Sequence, residues 1–210
     1  MGNLDQLLGH PKGRLVLARG IRGVSLIEMI VGLAILSILL MMGVPAFSTF
    51  LQNGKLRSAA ESVQAGLQLA RTEAVTRNGR VELVLTDDEP VATMVNSLTA
   101  SASGMSWMVR YYDPTTLFYT FIEGKAAAEG SGQADTTSVV VSATDATISF
   151  NGLGSTTLAA TSTFQFTNPA GGTCAAVGGP MRCLNVTVTP GGQIKMCDPA
   201  VSAAGDTRKC

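Results

Sequence analysis

Between residues 29 and 54 the chain carries no charged side chain, and most positions there are Ile, Leu, Val, Met, Ala or Phe. A stretch of that length can cross the hydrocarbon core of a bilayer, which takes about 20 helical residues. Before it stand Lys12, Arg14, Arg19 and Arg22 against a single acid, Asp5. Basic residues on that side place the N-terminal end in the cytoplasm by the positive-inside rule. A cleaved secretory signal fits poorly, because its apolar region is roughly 7–15 residues long and ends in a small-x-small site. This run instead continues into Pro45 and Phe47. An ordinary anchor fits the length but leaves Glu28 unexplained, since a carboxylate drawn to the centre of a membrane helix costs about 2.5–3.5 kcal/mol.

Gly23, Val24, Ser25, Leu26, Ile27 and Glu28, set on this basic-then-apolar frame, resemble the class III signal of type IV prepilins and type II secretion pseudopilins. The resemblance implies that residues 1–23 are a leader. A prepilin peptidase would cut between Gly23 and Val24 and methylate the new amine of Val24. Glu28 is then the fifth residue of the processed chain, where the family keeps a glutamate, and Pro45 is the twenty-second, where the family carries a proline that kinks the helix. Val24 departs from the phenylalanine usual at the first position. Residues 24–50 become a single pass through the bacterial inner membrane, with a periplasmic head, and later the core of a filament. There the amine and the Glu28 carboxylate would both be buried among apolar helices, and breaking a buried ion pair costs about 3–5 kcal/mol. Glu28 of one subunit is therefore expected to pair with the amine of its neighbour and set the axial register.

Beyond Pro45 the pattern turns amphipathic. Leu56, Ala60, Val63, Leu67, Ala70 and Ala74 recur at three- and four-residue spacing, with Lys55, Arg57, Glu61, Gln64, Gln68 and Arg71 mainly between them, as on a helix that docks one face. Asn78 and Gly79 form a stop signal with Arg77 in the last turn. The spacing predicts one helix from 24 to 77, about 80 Å long at 1.5 Å per residue, kinked at Pro45, which removes a ladder donor. Its second half, 51–78, docks on the domain that follows.

Residues 79–210 change character, becoming rich in Val, Thr, Ser and Gly. Short alternating runs at 81–85, 106–112, 117–122, 138–143, 147–150, 163–167, 182–189 and 194–197, separated by Asp, Asn, Gly and Pro turns, predict an antiparallel β head. Residues 124–137 and 169–180 read as surface loops. The expected fold is therefore α+β, a long kinked helix packed on an antiparallel sheet, and that is the type IV pilin architecture. Phe150, Asn151, Gly152 and Gly154, then Leu184, Val186, Val188 and residues 192–197, resemble the end of the GspH/FimT/FimU group of minor pilins and pseudopilins.

All four cysteines, Cys174, Cys183, Cys197 and Cys210, lie near the C-terminus. With no CxxC and no histidine near them, a zinc site is not expected. An even count in an exported head reads as two disulfides, and the residues alone leave three connectivities open. The pilin resemblance favours Cys174–Cys183 with Cys197–Cys210, because pilins commonly close the C-terminal loop; Cys183–Cys197 across the hairpin is the competing bridge. The one histidine, His10, lies in the leader. Its removal excludes Ser-His-Asp and Cys-His catalysis. Neither an enzyme nor a cofactor is expected. Asp87, Asp88, Glu89 and Asp113 each stand near a proline and read as solvated turns.

The resemblance thus implies a structural subunit: a minor type IV pilin of the pilus initiation or tip complex, or else an H-type pseudopilin of type II secretion. Its partners would be other pilins through the N-terminal helix, the prepilin peptidase, the inner membrane and finally the pilus. A third reading is DNA uptake, because some FimT-type pilins bind DNA through a Gly-Arg-x-Arg element. Here that stretch is Gly192, Gln193, Ile194 and Lys195, which leaves Arg182, Lys195, Arg208 and Lys209 as candidate contacts against Asp198 and Asp206. Phosphate contacts carry most nonspecific affinity. Removing the leader's four bases and one acid from fifteen of each leaves eleven bases against fourteen acids, so DNA is not expected as the main partner.

Overall fold

The computed structural model describes residues 23–126 and 139–210, with the backbone alone described at 42–46. The leader bases, His10 and most of the expected 124–137 loop lie outside the described residues. The chain divides into two compact units, Met1–Met42 and Gly43–Cys210. In the first, residues 23–25 are non-helical and lead into helix α1, Leu26–Arg77.

Within the second unit, α1 buries the stripe Leu56, Ala60, Val63, Leu67, Ala70 and Ala74 in the core. Burying one leucine of such a stripe contributes about 1.5–3 kcal/mol. Small residues let the helix approach closely. A Cβ on Gly66 would stand 2.9 Å from Leu83 Cδ1 and 3.1 Å from the Trp107 ring, while the Trp107 indole Nε1–H donates to Ser62 Oγ at 3.0 Å. The helix ends where the sequence predicts. Asn78 takes φ 46°, the left-handed conformation that asparagine tolerates, and the Gly79 N–H closes on the Ala74 carbonyl at 3.0 Å, one of the hydrogen bonds that satisfy the last free carbonyls of a helix.

Among the described residues eight strands follow: β1 (Arg80–Thr86), β2 (Ser106–Asp113), β3 (Phe118–Lys125), β4 (Val140–Ala143), β5 (Thr147–Phe150), β6 (Ser162–Thr167), β7 (Leu184–Val188) and β8 (Ile194–Cys197). They form two antiparallel four-stranded sheets, in the orders β3-β2-β1-β5 and β4-β6-β7-β8, where the sequence predicts one. The chain changes sheet between β4 and β5: Ile148 lies opposite Leu83 of β1, whereas Val141 lies opposite Phe166 of β6. Phe150, Phe164, Phe166, Val186 and Val188 from both sheets share one core with the α1 stripe. Alternation reports a face, not a neighbour, so the division into two sheets is a tertiary outcome.

Boundaries also shift. Gly124 and Lys125 belong to β3 rather than to a loop, and Leu117 is a hairpin residue at φ 62° rather than the start of a strand. Arg182, Cys183 and Thr189 fall outside β7. The connection between β1 and β2 holds a one-turn 3-10 helix, Ala92–Met94. Proline at 90 comes within reach of Gly124 of β3, so this connection lies against the first sheet.

Candidate assembly surface

The start of α1 is built by Ser25. Its Oγ accepts from the Glu28 N–H at 3.3 Å, and its carbonyl accepts from the Met29 N–H at 3.2 Å. That is an N-cap, satisfying donors that the first turn leaves free. Gly23 and Val24, between which the sequence leads one to expect cleavage, lie in exposed, non-helical backbone immediately before the cap. Glu28 lies in the first turn, where a carboxylate complements the helix dipole, and is itself exposed. Ser25 is a residue that sequence reasoning passed over, although its signal was there: Ser followed three positions later by Glu marks a helix start.

From Leu26 to Met41 the apolar side chains are uncovered, with Leu26 79% and Met41 83% exposed. Among the described residues no helix is long and apolar enough to cross a membrane. The expected pass over 24–50 includes 42–46, whose side chains lie outside the described residues, as does that of Pro45 with its expected kink. Described side chains resume at Phe47, and Phe47 and Phe50 are exposed too.

Where this apolar half gives way to the docked half, the first disulfide loop is anchored to the helix. Cys174 and Cys183 are bonded, and the Arg182 N–H donates to Asn53 Oδ1 at 2.7 Å. Gln52 and Met181 both crowd Gly171. The second bridge, Cys197–Cys210, closes the C-terminal loop on β8, where the Asp198 N–H donates to the Arg208 carbonyl at 2.7 Å.

Three of the four candidate DNA contacts gather at that C-terminal loop, Arg208 and Lys209 on it and Lys195 on β8 beside it, and are already engaged. Lys195 Nζ donates to the Lys209 carbonyl at 2.7 Å, Lys209 Nζ to the Ser202 carbonyl at 3.4 Å, and Arg208 pairs with Asp206 at 2.7 Å. The Arg208 side chain first, and its backbone N–H second, hold the Asp206 carboxyl down at about 2. Arg182 sits apart, on the other disulfide loop. Asp113 accepts from the Thr115 N–H at 2.8 Å, and that bond leads the causes that lower its pKa. Asp88 accepts from the Thr99 N–H at 2.7 Å.

The structure adds a buried ionic cluster that the sequence did not announce. Glu82, 1% exposed, receives Arg110 at 2.7 Å, Arg80 at 2.9 Å and the Ser149 hydroxyl at 3.1 Å. Arg110 also donates to the Val95 carbonyl at 2.8 Å and stacks 3.8 Å from the Tyr119 ring centre. Burial, followed by the Glu82 charge, pushes the Tyr119 hydroxyl up. Read linearly, Glu82 is a charge interrupting a strand. Only the pairing of β1 with β2 and β5 sets Arg110 and Ser149 directly opposite it.

A family model of the type II transport protein GspH matches residues 59–192, and one of the prokaryotic N-terminal methylation motif matches residues 18–44. Among solved structures, two crystal forms of the Pseudomonas aeruginosa type IV minor pilin FimU are similar to this chain. One gives a TM-score of 0.47 at 15% identity over 70% of this chain and 91% of that one; the other gives 0.44 at 14% over 67% and 90%. The solution structure of E. coli GspH gives 0.42 at 14% over 74% and 93%. No curated protein matches by sequence.

Proposed function

We propose a function on the premise that this chain belongs to the GspH family, whose members are pilin and pseudopilin subunits, and carries the N-terminal methylation motif: it is a minor type IV pilin, a structural part of the pilus initiation or tip complex. The observation that carries the reading is an uncovered apolar helix whose start is capped by Ser25 and whose first turn holds Glu28. Such a surface requires other apolar helices or lipid around it. Prepilin peptidase cuts after Gly23 and methylates Val24, and residues 24–50 hold the subunit in the inner membrane with the head in the periplasm. On entry into a filament, Glu28 pairs with the Val24 amine of a neighbour.

The test is the N-terminal mass of the protein recovered from membranes, together with a Glu28→Ala variant. The reading expects a methylated chain beginning at Val24 and loss of the variant from sheared filaments. A full-length N-terminus, or normal incorporation of Glu28→Ala, would overturn it.

A second reading, the H-type pseudopilin of a type II secretion machine, is favoured by the matched family's own description. Deleting the gene separates the two, since loss of surface pili with secretion intact supports the first and the reverse supports the second. DNA uptake is not favoured, because Lys195, Arg208 and Lys209 are held by carbonyls and by Asp206. A salt-dependent gel shift abolished by Lys195→Ala would restore it.

A further inference from the structure

We propose that the loop closed by Cys174–Cys183 rests in the phospholipid headgroup layer, with Val177 entering that layer and Lys55 and Arg182 facing lipid phosphates. The proposal deepens the membrane reading above and rests on it, since it names what this surface touches before the subunit enters a filament.

The sequence sets where the membrane ends. The uncharged run closes at Lys55, and the pass proposed for residues 24–50 ends on Phe50, which is 70% exposed. Asn53 shares a helix face with Phe50 and lies about 4.5 Å further along the axis at 1.5 Å per residue. The headgroup layer is about 5–8 Å deep on each side of the hydrocarbon core. Whatever is fastened to Asn53 falls within it.

The connection between β6 and β7 is fastened there. The Arg182 N–H donates to Asn53 Oδ1 at 2.7 Å, and Gly171 packs against Gln52 and Met181. From Asn168 to Met181 this connection carries no charged side chain, whereas the one between β1 and β2 carries Asp87, Asp88 and Glu89. Val177 ends a one-turn 3-10 helix, Ala175–Val177, and is 75% exposed. Besides the disulfide, the Ala175 N–H donates to the Met181 carbonyl at 2.7 Å and the Gly179 N–H to the Cys174 carbonyl at 3.0 Å. An apolar side chain on a loop already built this way loses little freedom when it is covered.

Cations flank the loop. Arg57 is tied to Glu61, but among the described residues no carboxylate pairs with the side chain of Lys55 or Arg182. Cys197 of β8 lies opposite Asn185 of β7, which brings the C-terminal loop to the same end of the sheet. There Asp206 is taken by Arg208, Asp198 accepts from the Ala200 N–H at 2.8 Å, and Lys209 adds a second base. That loop is balanced, so Lys55 and Arg182 remain as an excess of two positive charges. An apolar residue between unpaired cations suits a lipid surface, where the one meets the acyl boundary and the others the phosphates. An apolar helix of a neighbouring subunit would cover Val177 and leave both cations without a partner.

The experiment reconstitutes the full-length protein in vesicles of phosphatidylethanolamine and phosphatidylglycerol and reads tryptophan quenching by spin labels on the headgroup or within the acyl chain. Trp107 is buried and gives a constant background. Val177→Trp should lose fluorescence to the headgroup label and Phe47→Trp to the acyl-chain label. Leu153→Trp, just beyond β5 where Phe150 pairs with Val81 at the far end of the head, should lose it to neither. Adding Arg182→Gln to Val177→Trp keeps the backbone N–H on Asn53 and should lower the ratio of bound to free loop about fivefold. Quenching at 47 without quenching at 177 would overturn the proposal and leave the membrane reading standing, while no quenching at 47 would overturn both. Equal quenching at 153 and 177, indifference to Arg182→Gln, or a change at 177 that requires a second pilin in the vesicle would also overturn it.

Discussion

The two halves of α1 distribute their apolar residues differently and meet opposite fates. Leu39 is 62% exposed and Leu67 is fully buried, although each is a leucine in a regular helix. The earlier half is apolar all round, so no single face could satisfy it. The later half alternates, so one face can be covered by two sheets while the other stays polar, with Arg57 paired to Glu61 and Arg77 to Glu73. An all-round apolar helix needs an all-round apolar environment, and a one-sided helix needs only its own head.

Substitution should break this contrast most strongly within the covered half. Leu67→Ala is expected to lower the stability of the head by about 2–5 kcal/mol in denaturant titration, whereas Leu39→Ala should leave that titration within about 0.5 kcal/mol of the parent. Equal effects would mean that the first half is also packed against the head. Next comes the loop anchored where the halves meet. Replacing Cys174 and Cys183 together by serine should cost about 2–4 kcal/mol, and hydrogen exchange at the Arg182 amide, held by Asn53, should rise.

Ser25→Ala tests the uncovered half by itself. Loss of the cap should cost about 1 kcal/mol of helix start, visible as faster exchange at the Glu28 amide, with the head's denaturation midpoint unchanged. The smallest effect belongs to an exposed pair away from both halves. Asp206 titrates at about 2 rather than its ordinary 3.8, so the stabilisation from its pairing with Arg208 is complete above the higher value and is lost as pH falls through the lower one. In an NMR titration, Arg208→Ala should return the midpoint toward 3.8.

Much of this was legible because it is local. The six-residue stripe is a helical period, Asn78 and Gly79 are a stop signal, and each strand ends near a turn residue. The N-terminal methylation motif was legible for the same reason, since one short segment carries it. The Ser25 cap is local too, signalled by the glutamate three positions on. Glu82 was not readable, because its partners Arg110 and Ser149 are 28 and 67 residues away and come opposite it only through the register of β1.

By itself the sequence determined the helix, its change from all-round to one-sided apolarity, the strand segments and the signal preceding the helix. Each depends on residues within a few turns of one another. Only the tertiary structure decided that the strands divide into two sheets, that the Cys174–Cys183 loop is held by Asn53, and that Glu82 balances two arginines beside Tyr119. Those outcomes depend on which distant segments share a core or a hydrogen-bonded ladder. A period of two or of 3.6 fixes the face a residue occupies but not the partner it meets there.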